Sequence, residues 1–348
     1  MKPFTITIAQ RLRPFSHAAR FCTLIPKTNC LAEIFPARLV LEEWQGARFS
    51  TLLPLTGPVE QFTSQVEGEK GRVRVFGRAA QGFFSYLLFA QRDGIYLYLE
   101  KGPLPFPLKQ EHKLLNISSF HEAPPEERLS LGMHRSLEWE SVLRRGEFQE
   151  IFPVWLQMGQ LLPQPEERTM PEEGNFLLLE KCRKVVEQKE KLHVIPAFRT
   201  LFLAAFSSLF VPHVNDLSFQ GLSTPTEQAL SPLPILKKSA LLIRSLFFQE
   251  EKESCALLPL LPPQFHSGRF CHIKTKEGDR IDMEWSSKLL RRLRIQSAKS
   301  RSLRLIVQSA LKRCRVRTKL REKGRMSNLN EPLELQSGVC LYLDRFQG

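Results

Sequence analysis

Hydrophobic and polar positions alternate with a period of two in several stretches between residues 31 and 120. On a strand, side chains two apart share a face, so this pattern predicts β structure. Over 71–77, Val73 and Val75 fall on one face while Arg72, Arg74 and Phe76 fall on the other. Residues 39–44 are apolar with acidic interruptions, and 83–89 form a dense aromatic and aliphatic run. Arg92-Asp93-Gly94 is a hairpin signal, and residues 95–99 read as the returning strand. A sandwich or half-barrel is expected here. Prolines at 103, 105 and 107 exclude regular structure and mark an exit loop.

From residue 121 to 252 the apolar spacing lengthens to the three-to-four of a helix. Pro124-Pro125-Glu126-Glu127 predicts an acidic helix start. Residues 136–152 read as a helix interrupted near Gly146, and 163–174 as a Pro/Glu-rich loop. An amphipathic helix is expected over 175–191 and a helix apolar on all sides over 195–210. Residues 221–234 read as loop and 237–250 as a further helix. From Cys255 short strands return: 271–275, 280–285, 289–297, 303–308, 314–318, 333–335 and 339–343. On periodicity alone, 301–313 fits an amphipathic helix as well. The expected class is a multidomain α+β protein. Its parts are a basic segment (1–30), a β domain (31–120), a helical domain (121–252) and a β-sandwich domain (253–348).

Composition narrows the function classes. With 348 residues, 42% hydrophobic and 25% charged, the chain can bury a core and is not of disordered composition. No run of about 18 uncharged apolar residues exists, so a spanning helix is not expected. Phe is frequent (25) and Tyr scarce (4), a bias with no functional reading at this level. The first 32 residues hold no acid but contain Lys2, Arg11, Arg13, Arg20 and Lys27. That pattern resembles an organellar presequence; the plainer reading is a basic tail or leading strand. The seven cysteines are scattered without a Cys-x-x-Cys pair, so free thiols in a reducing cytoplasm are expected, with neither metal nor cofactor. The net charge of +14 is concentrated: residues 288–325 carry 15 Lys/Arg and a single acid, Glu322.

The carboxy-terminal third carries a family likeness. An apolar helix over 240–248 precedes Leu257-Leu-Pro-Leu-Leu-Pro-Pro263, Gly268, a turn with Gly278, and the strand Ile281-Asp-Met-Glu-Trp285. Residues 290–297 and Cys314-Arg-Val-Arg317 follow. In order and spacing, 237–317 resembles the carboxy-terminal part of glycoside hydrolase family 95, the α-L-fucosidase type. Residues 73–93 are similar to the second half of that family's amino-terminal β domain. The resemblance covers about a third of the chain. It implies a β domain, an (α/α)₆ barrel and a β-sandwich, together with inverting glycoside hydrolysis. Residues 124–250 have room for about half of the dozen helices such a barrel needs. The Asn-Phe-Gly-Gly type loop expected before the last helix is replaced by Leu233-Pro-Ile-Leu-Lys-Lys238, and no position matches the family's catalytic motifs. The expectation is a shortened glycoside-hydrolase-like protein with a helical remnant of the barrel, a carbohydrate-facing surface, and catalysis in question. The alternative is a non-enzymatic basic module that binds nucleic acid or another polyanion through 288–325.

Inverting hydrolysis needs two carboxyl groups roughly 6.5–9.5 Å apart, one held protonated. The candidates are Asp216, Glu138, Glu140 and Glu227. Asp216 has His213 and Asn215 beside it, although 214–216 also suits a helix cap or an Asx turn. Glu138 and Glu140 flank Trp139, a sugar-stacking residue type, although a Trp between acids is more often a half-buried helix residue. His134 and Glu138 have the i, i+4 spacing of a metal pair, but no third ligand is evident, and a surface pair is the simpler account. Arg313, Arg315 and Arg317 alternate with Cys314 and Val316, a face able to grip an anion or simply to meet solvent. Aromatic residues are missing between Arg291 and Lys323, which argues against stacking on unpaired bases.

Overall fold

The period-two stretches of the first hundred residues become two antiparallel sheets. The computed structural model describes residues 5–44, 46–102, 111–122, 126–163, 173–216 and 231–348. Strands β1 (Phe15–Ser16), β2 (Phe21–Leu24), β3 (Cys30–Phe35), β4 (Arg38–Glu43) and β5 (Arg48–Leu52) come first. They are followed by β6 (Glu60–Glu67), β7 (Arg72–Ala79), β8 (Gly82–Gln91), β9 (Gly94–Lys101) and β10 (Glu111–Leu115). One sheet has the order β2-β3-β4-β5 and the other β1-β6-β7-β8-β9-β10. Val73 and Val75 are fully buried, as the alternation requires. On the opposite face, Arg72 pairs with Glu67 and Arg74 with Glu100. The Arg92-Asp93 turn closes β8 on β9 with Gln91 opposite Gly94. The leading-strand reading holds at 21–24: β2 pairs with β3, and Phe21, Leu24 and Ile25 are buried.

Of the expected helix start at 124–127, residues 124–125 lie outside the described residues, 126–127 are irregular, and Arg128–Ser130 form strand β11 where a helix was expected to continue. The cause is a long-range tie. The Glu127 carboxylate accepts from Arg244 Nε and Nη2 at 2.7–2.9 Å and from the Lys274 amide at 3.1 Å, which holds the chain extended. Helices follow at α1 (Trp139–Arg145) and α2 (Phe148–Gln160). Gly146 separates them in the left-handed region, φ +60°, closing α1 with its amide on the Val142 carbonyl. Then come α3 (Asn175–Glu187), α4 (Val194–Ala205), the two-residue strands β12 (Phe206–Ser207) and β13 (Val211–Pro212), and α5 (Leu233–Phe247).

Helices α2 and α5 approach closely because Gly159 meets Ala240: a Cβ on Gly159 would lie 2.2 Å from that of Ala240. Trp155 is the hub of the layer. Its ring lies 5.0–6.2 Å from those of Phe152, Phe198, Phe202, Phe206 and Phe210, and its Nε1 donates to Ser239 Oγ at 2.8 Å. Five of the 25 phenylalanines thus pack around this one indole.

The last hundred residues form β14 (Phe248–Glu251), β15 (Ser254–Leu257), β16 (Gly268–Lys274), β17 (Arg280–Ser286) and β18 (Leu289–Gln296). They continue with β19 (Arg301–Ile306), β20 (Arg313–Arg317), β21 (Arg325–Asn328), β22 (Leu333–Leu335) and β23 (Cys340–Gln347). A seven-stranded sheet runs β11-β16-β17-β18-β23-β20-β21, and a four-stranded one β14-β15-β19-β22. The helical option for 301–313 fails: Leu303 and Leu305 are buried between exposed Ser302, Arg304 and Ile306, and β19 pairs with β15 and β22. Trp285 is buried over Gly268, where a Cβ would come within 2.3 Å of the indole. Among the described residues the fold is therefore α+β, sheet-rich and sandwich-like, with a large apolar core running from Phe21 to Phe346 and a small separate cluster of Ile6, Ile8 and Cys271. None of the described helices is long and apolar enough to cross a membrane.

Candidate anion-binding cleft

Two of the acids expected to do chemistry are engaged by serine hydroxyls. Glu138 precedes α1 and its carboxylate accepts from Ser141 Oγ at 2.7 Å. Glu140 accepts from Ser16 Oγ. Between them Trp139 is buried, with Nε1 donating to the Ser208 carbonyl at 2.7 Å and its ring against Phe210. It offers no face on which a sugar could stack. Asp216 is half-buried in a segment pinned by Asn175, whose Nδ2 reaches the carbonyls of Ala204, His213 and Asn215 at 2.8–3.1 Å. His213 Nε2 lies 2.7 Å from Ser207 Oγ, and burial lowers its pKa. Glu227 lies outside the described residues. Helix α1 begins only at Trp139, so His134 and Glu138 do not share a helix face. Among the described residues no three His, Cys, Asp or Glu side chains converge as metal ligands.

The basic segment is redistributed by strand register. Asp282 lies opposite Arg294 and Glu284 opposite Arg292 across β17 and β18. Arg294 Nη1 reaches Asp282 Oδ2 at 2.9 Å, and Arg292 bonds Glu284. Lys299 pairs with Glu277 at 2.9 Å and Arg301 with buried Asp279 at 2.6 Å. Arg315 and Arg317 both bind Asp344 at 2.7 Å. Of the three arginines expected to grip an anion, Arg315 and Arg317 are thus committed to an internal carboxylate, and Arg317 is only 4% exposed. Arg313 is exposed.

Lys288, Arg291, Arg304, Lys312 and Arg313 are exposed at separate places, and a further four cations stand close together where β20 turns into β21. Lys319, Arg321, Lys323 and Arg325 are all exposed. The one acid of the turn, Glu322, is spent on it: its Oε2 accepts from the Thr318 amide (3.0 Å), the Thr318 hydroxyl (2.8 Å) and the Lys319 amide (3.2 Å). Those bonds hold its pKa below the usual carboxylate value. Gly324 completes the turn at φ +73°, packed so tightly that a Cβ would lie 2.4 Å from Arg317 Cγ.

Beside this turn opens a cleft of about 480 Å³. Val316, Leu333, Val339 and Leu341 supply its apolar lining, Thr318 and Gln336 add polar groups, Glu322 and Glu334 add carboxylates, and Arg317, Lys323 and Arg325 add cations. None of its lining residues is aromatic. Such a site can attract anions and shelter a small apolar portion of a ligand, but it lacks the flat ring surface on which neutral sugars stack. Sequence reasoning located the charge but missed Asp344, which cancels its middle, and the polar residues of the cleft. The available signal was Glu322 itself, a lone acid two residues before a glycine in a basic run. The chain matches no model of a known protein family and no curated protein.

Proposed function

We propose that this chain is a shortened, non-hydrolytic relative of the family 95 fucosidase type whose carboxy-terminal sandwich binds a polyanion through the β20–β21 turn. The β–α–β element order and the buried acid-Trp strand at 280–285 are in keeping with that kinship. The filled aromatic layer around Trp155 leaves little room for a substrate cup among the described helices. One observation carries the binding role: four exposed cations on one turn, whose own acid Glu322 is hydrogen-bonded within it, beside a cleft.

Binding of this kind releases counterions and weakens steeply with salt. The test is retention on heparin and on duplex DNA over a salt series. The reading expects retention that falls with salt. Changing Lys319, Arg321, Lys323 and Arg325 together to Ala should weaken binding at least about tenfold and lower the salt slope by about four. Unchanged retention by that variant would refute the role. Sustained hydrolysis of an aryl α-L-fucoside would restore the catalytic reading instead.

A further inference from the structure

The same turn presents two apolar side chains to water. Leu320 is 45% exposed and Met326 is 50% exposed. They alternate with the cations in Lys319-Leu320-Arg321-Glu322-Lys323-Gly324-Arg325-Met326. Met326 lies on β21, the edge strand of the seven-stranded sheet, opposite Arg315. Arg317 Nη1 bonds the Leu320 carbonyl at 2.9 Å, so the tip is anchored from below as well as by Glu322.

Resting on the polyanion reading, we propose that the partner of this turn is an anionic lipid surface, with Leu320 and Met326 entering the boundary between headgroups and acyl chains. A nucleic-acid backbone offers nothing to an exposed leucine and methionine. A lipid surface uses both parts of the pattern. Apolar side chains sink below the headgroups, and Lys and Arg reach back to the phosphates along their alkyl stems. The surface potential of anionic lipid falls off within about a Debye length, roughly 8 Å at physiological salt, so cations on the same turn as the apolar pair act where the field is strongest. A tip already held by Glu322 and Arg317 loses little conformational freedom on docking. Other exposed apolar side chains stand apart from this turn, Leu52 and Phe83 on strands β5 and β8, Leu192 just before α4, Leu203 in α4 and Ile306 on β19.

The experiment uses the full chain with sedimenting vesicles of phosphatidylcholine alone, the same vesicles containing phosphatidylserine, and heparin and duplex DNA in parallel. Binding is expected to the phosphatidylserine vesicles and not to phosphatidylcholine alone. Leu320→Ser with Met326→Ser should lower vesicle partitioning about tenfold while leaving heparin retention unchanged. Leu320→Trp should bind vesicles at least as well as the native chain and shift its fluorescence to the blue when they are added. Vesicle binding unaffected by the double serine change, or a Leu320→Trp variant with no blue shift, overturns the inference. Heparin or DNA binding without vesicle binding overturns it and leaves the polyanion reading standing. Binding to none of the four overturns both.

Discussion

Arg315 and Asp344 face each other across β20 and β23 and meet in a two-point hydrogen bond, Nε to Oδ1 and Nη2 to Oδ2, each 2.7 Å. Arg317 Nη2 joins the same Oδ2 at 2.7 Å. One carboxylate thus holds two guanidiniums that are mostly shielded from solvent. Removing it leaves two buried like charges side by side. Asp344→Asn keeps the shape but not the charge and is expected to destabilise the protein by about 3 kcal/mol, near the lower end of what breaking a buried pair costs. Urea denaturation of the purified variant measures this. A loss under about 1 kcal/mol would mean that water already screens the trio as it does surface pairs.

The contact between Gly159 and Ala240 sets the distance between α2 and α5. In an exposed helix, Gly→Ala stabilises by up to about 1 kcal/mol. Here the sign should reverse, because the added methyl would overlap the Ala240 methyl at 2.2 Å. Gly159→Ala is expected to destabilise by about 1–3 kcal/mol through overpacking. Ala240→Gly in the same chain should recover part of that loss, since it vacates the space the new methyl needs. Additive losses in the double variant, by thermal or chemical denaturation, would contradict the contact.

His213 and His121 both have pKa values lowered by burial, with Lys237 and Lys27 adding repulsion at His121. In the unfolded chain each titrates near pH 6.5. The folded state therefore binds fewer protons than the unfolded state just below that pH. Stability should be full above about pH 7 and decline as pH falls through 6.5 toward the folded values. His213→Gln can keep a hydrogen bond to Ser207 and cannot titrate, so its melting temperature should fall less between about pH 7 and 5. Carboxylates with lowered values, such as Glu67, act at lower pH and leave this window separate. Parallel slopes for the variant and the native chain would show that His213 is not responsible.

Much of the strand layout was legible because one buried face enforces alternation, as at Val73 and Val75. The break at Gly146 was legible because glycine is the residue that closes a helix in the left-handed region. What escaped was everything decided across long sequence separations. Glu127 looked like the start of a helix because its partner Arg244 lies 117 residues away. The basic run 288–325 looked unbalanced because the acids that answer it, Asp279, Asp282, Glu284 and Asp344, reach it through strand register or turns. Trp139 sits in a helix as its plainer reading had it, but nothing local signals that Ser208, 69 residues away, takes its indole N–H. Charge concentration in a sequence is therefore a poor guide to charge concentration on a sheet, where each strand meets a neighbour chosen by topology.

Glu322 offers the sharpest local test, because its two effects on the turn oppose each other. Its negative charge weakens attraction to any polyanion, while its carboxylate fixes the amides of Thr318 and Lys319. Its lowered pKa means that the tie is intact above the ordinary carboxylate range and is lost as pH falls through the depressed folded value. Glu322→Gln should therefore speed hydrogen exchange at the Thr318 and Lys319 amides at neutral pH, with little change at core amides such as those of β17 and β18. The native protein should show the same local loosening only in acid. Since the turn is exposed, the global melting temperature should move little. If exchange at those two amides is unchanged, the tip is ordered by Gly324 and the Arg317 bond to Leu320 alone, and Glu322 is merely a countercharge.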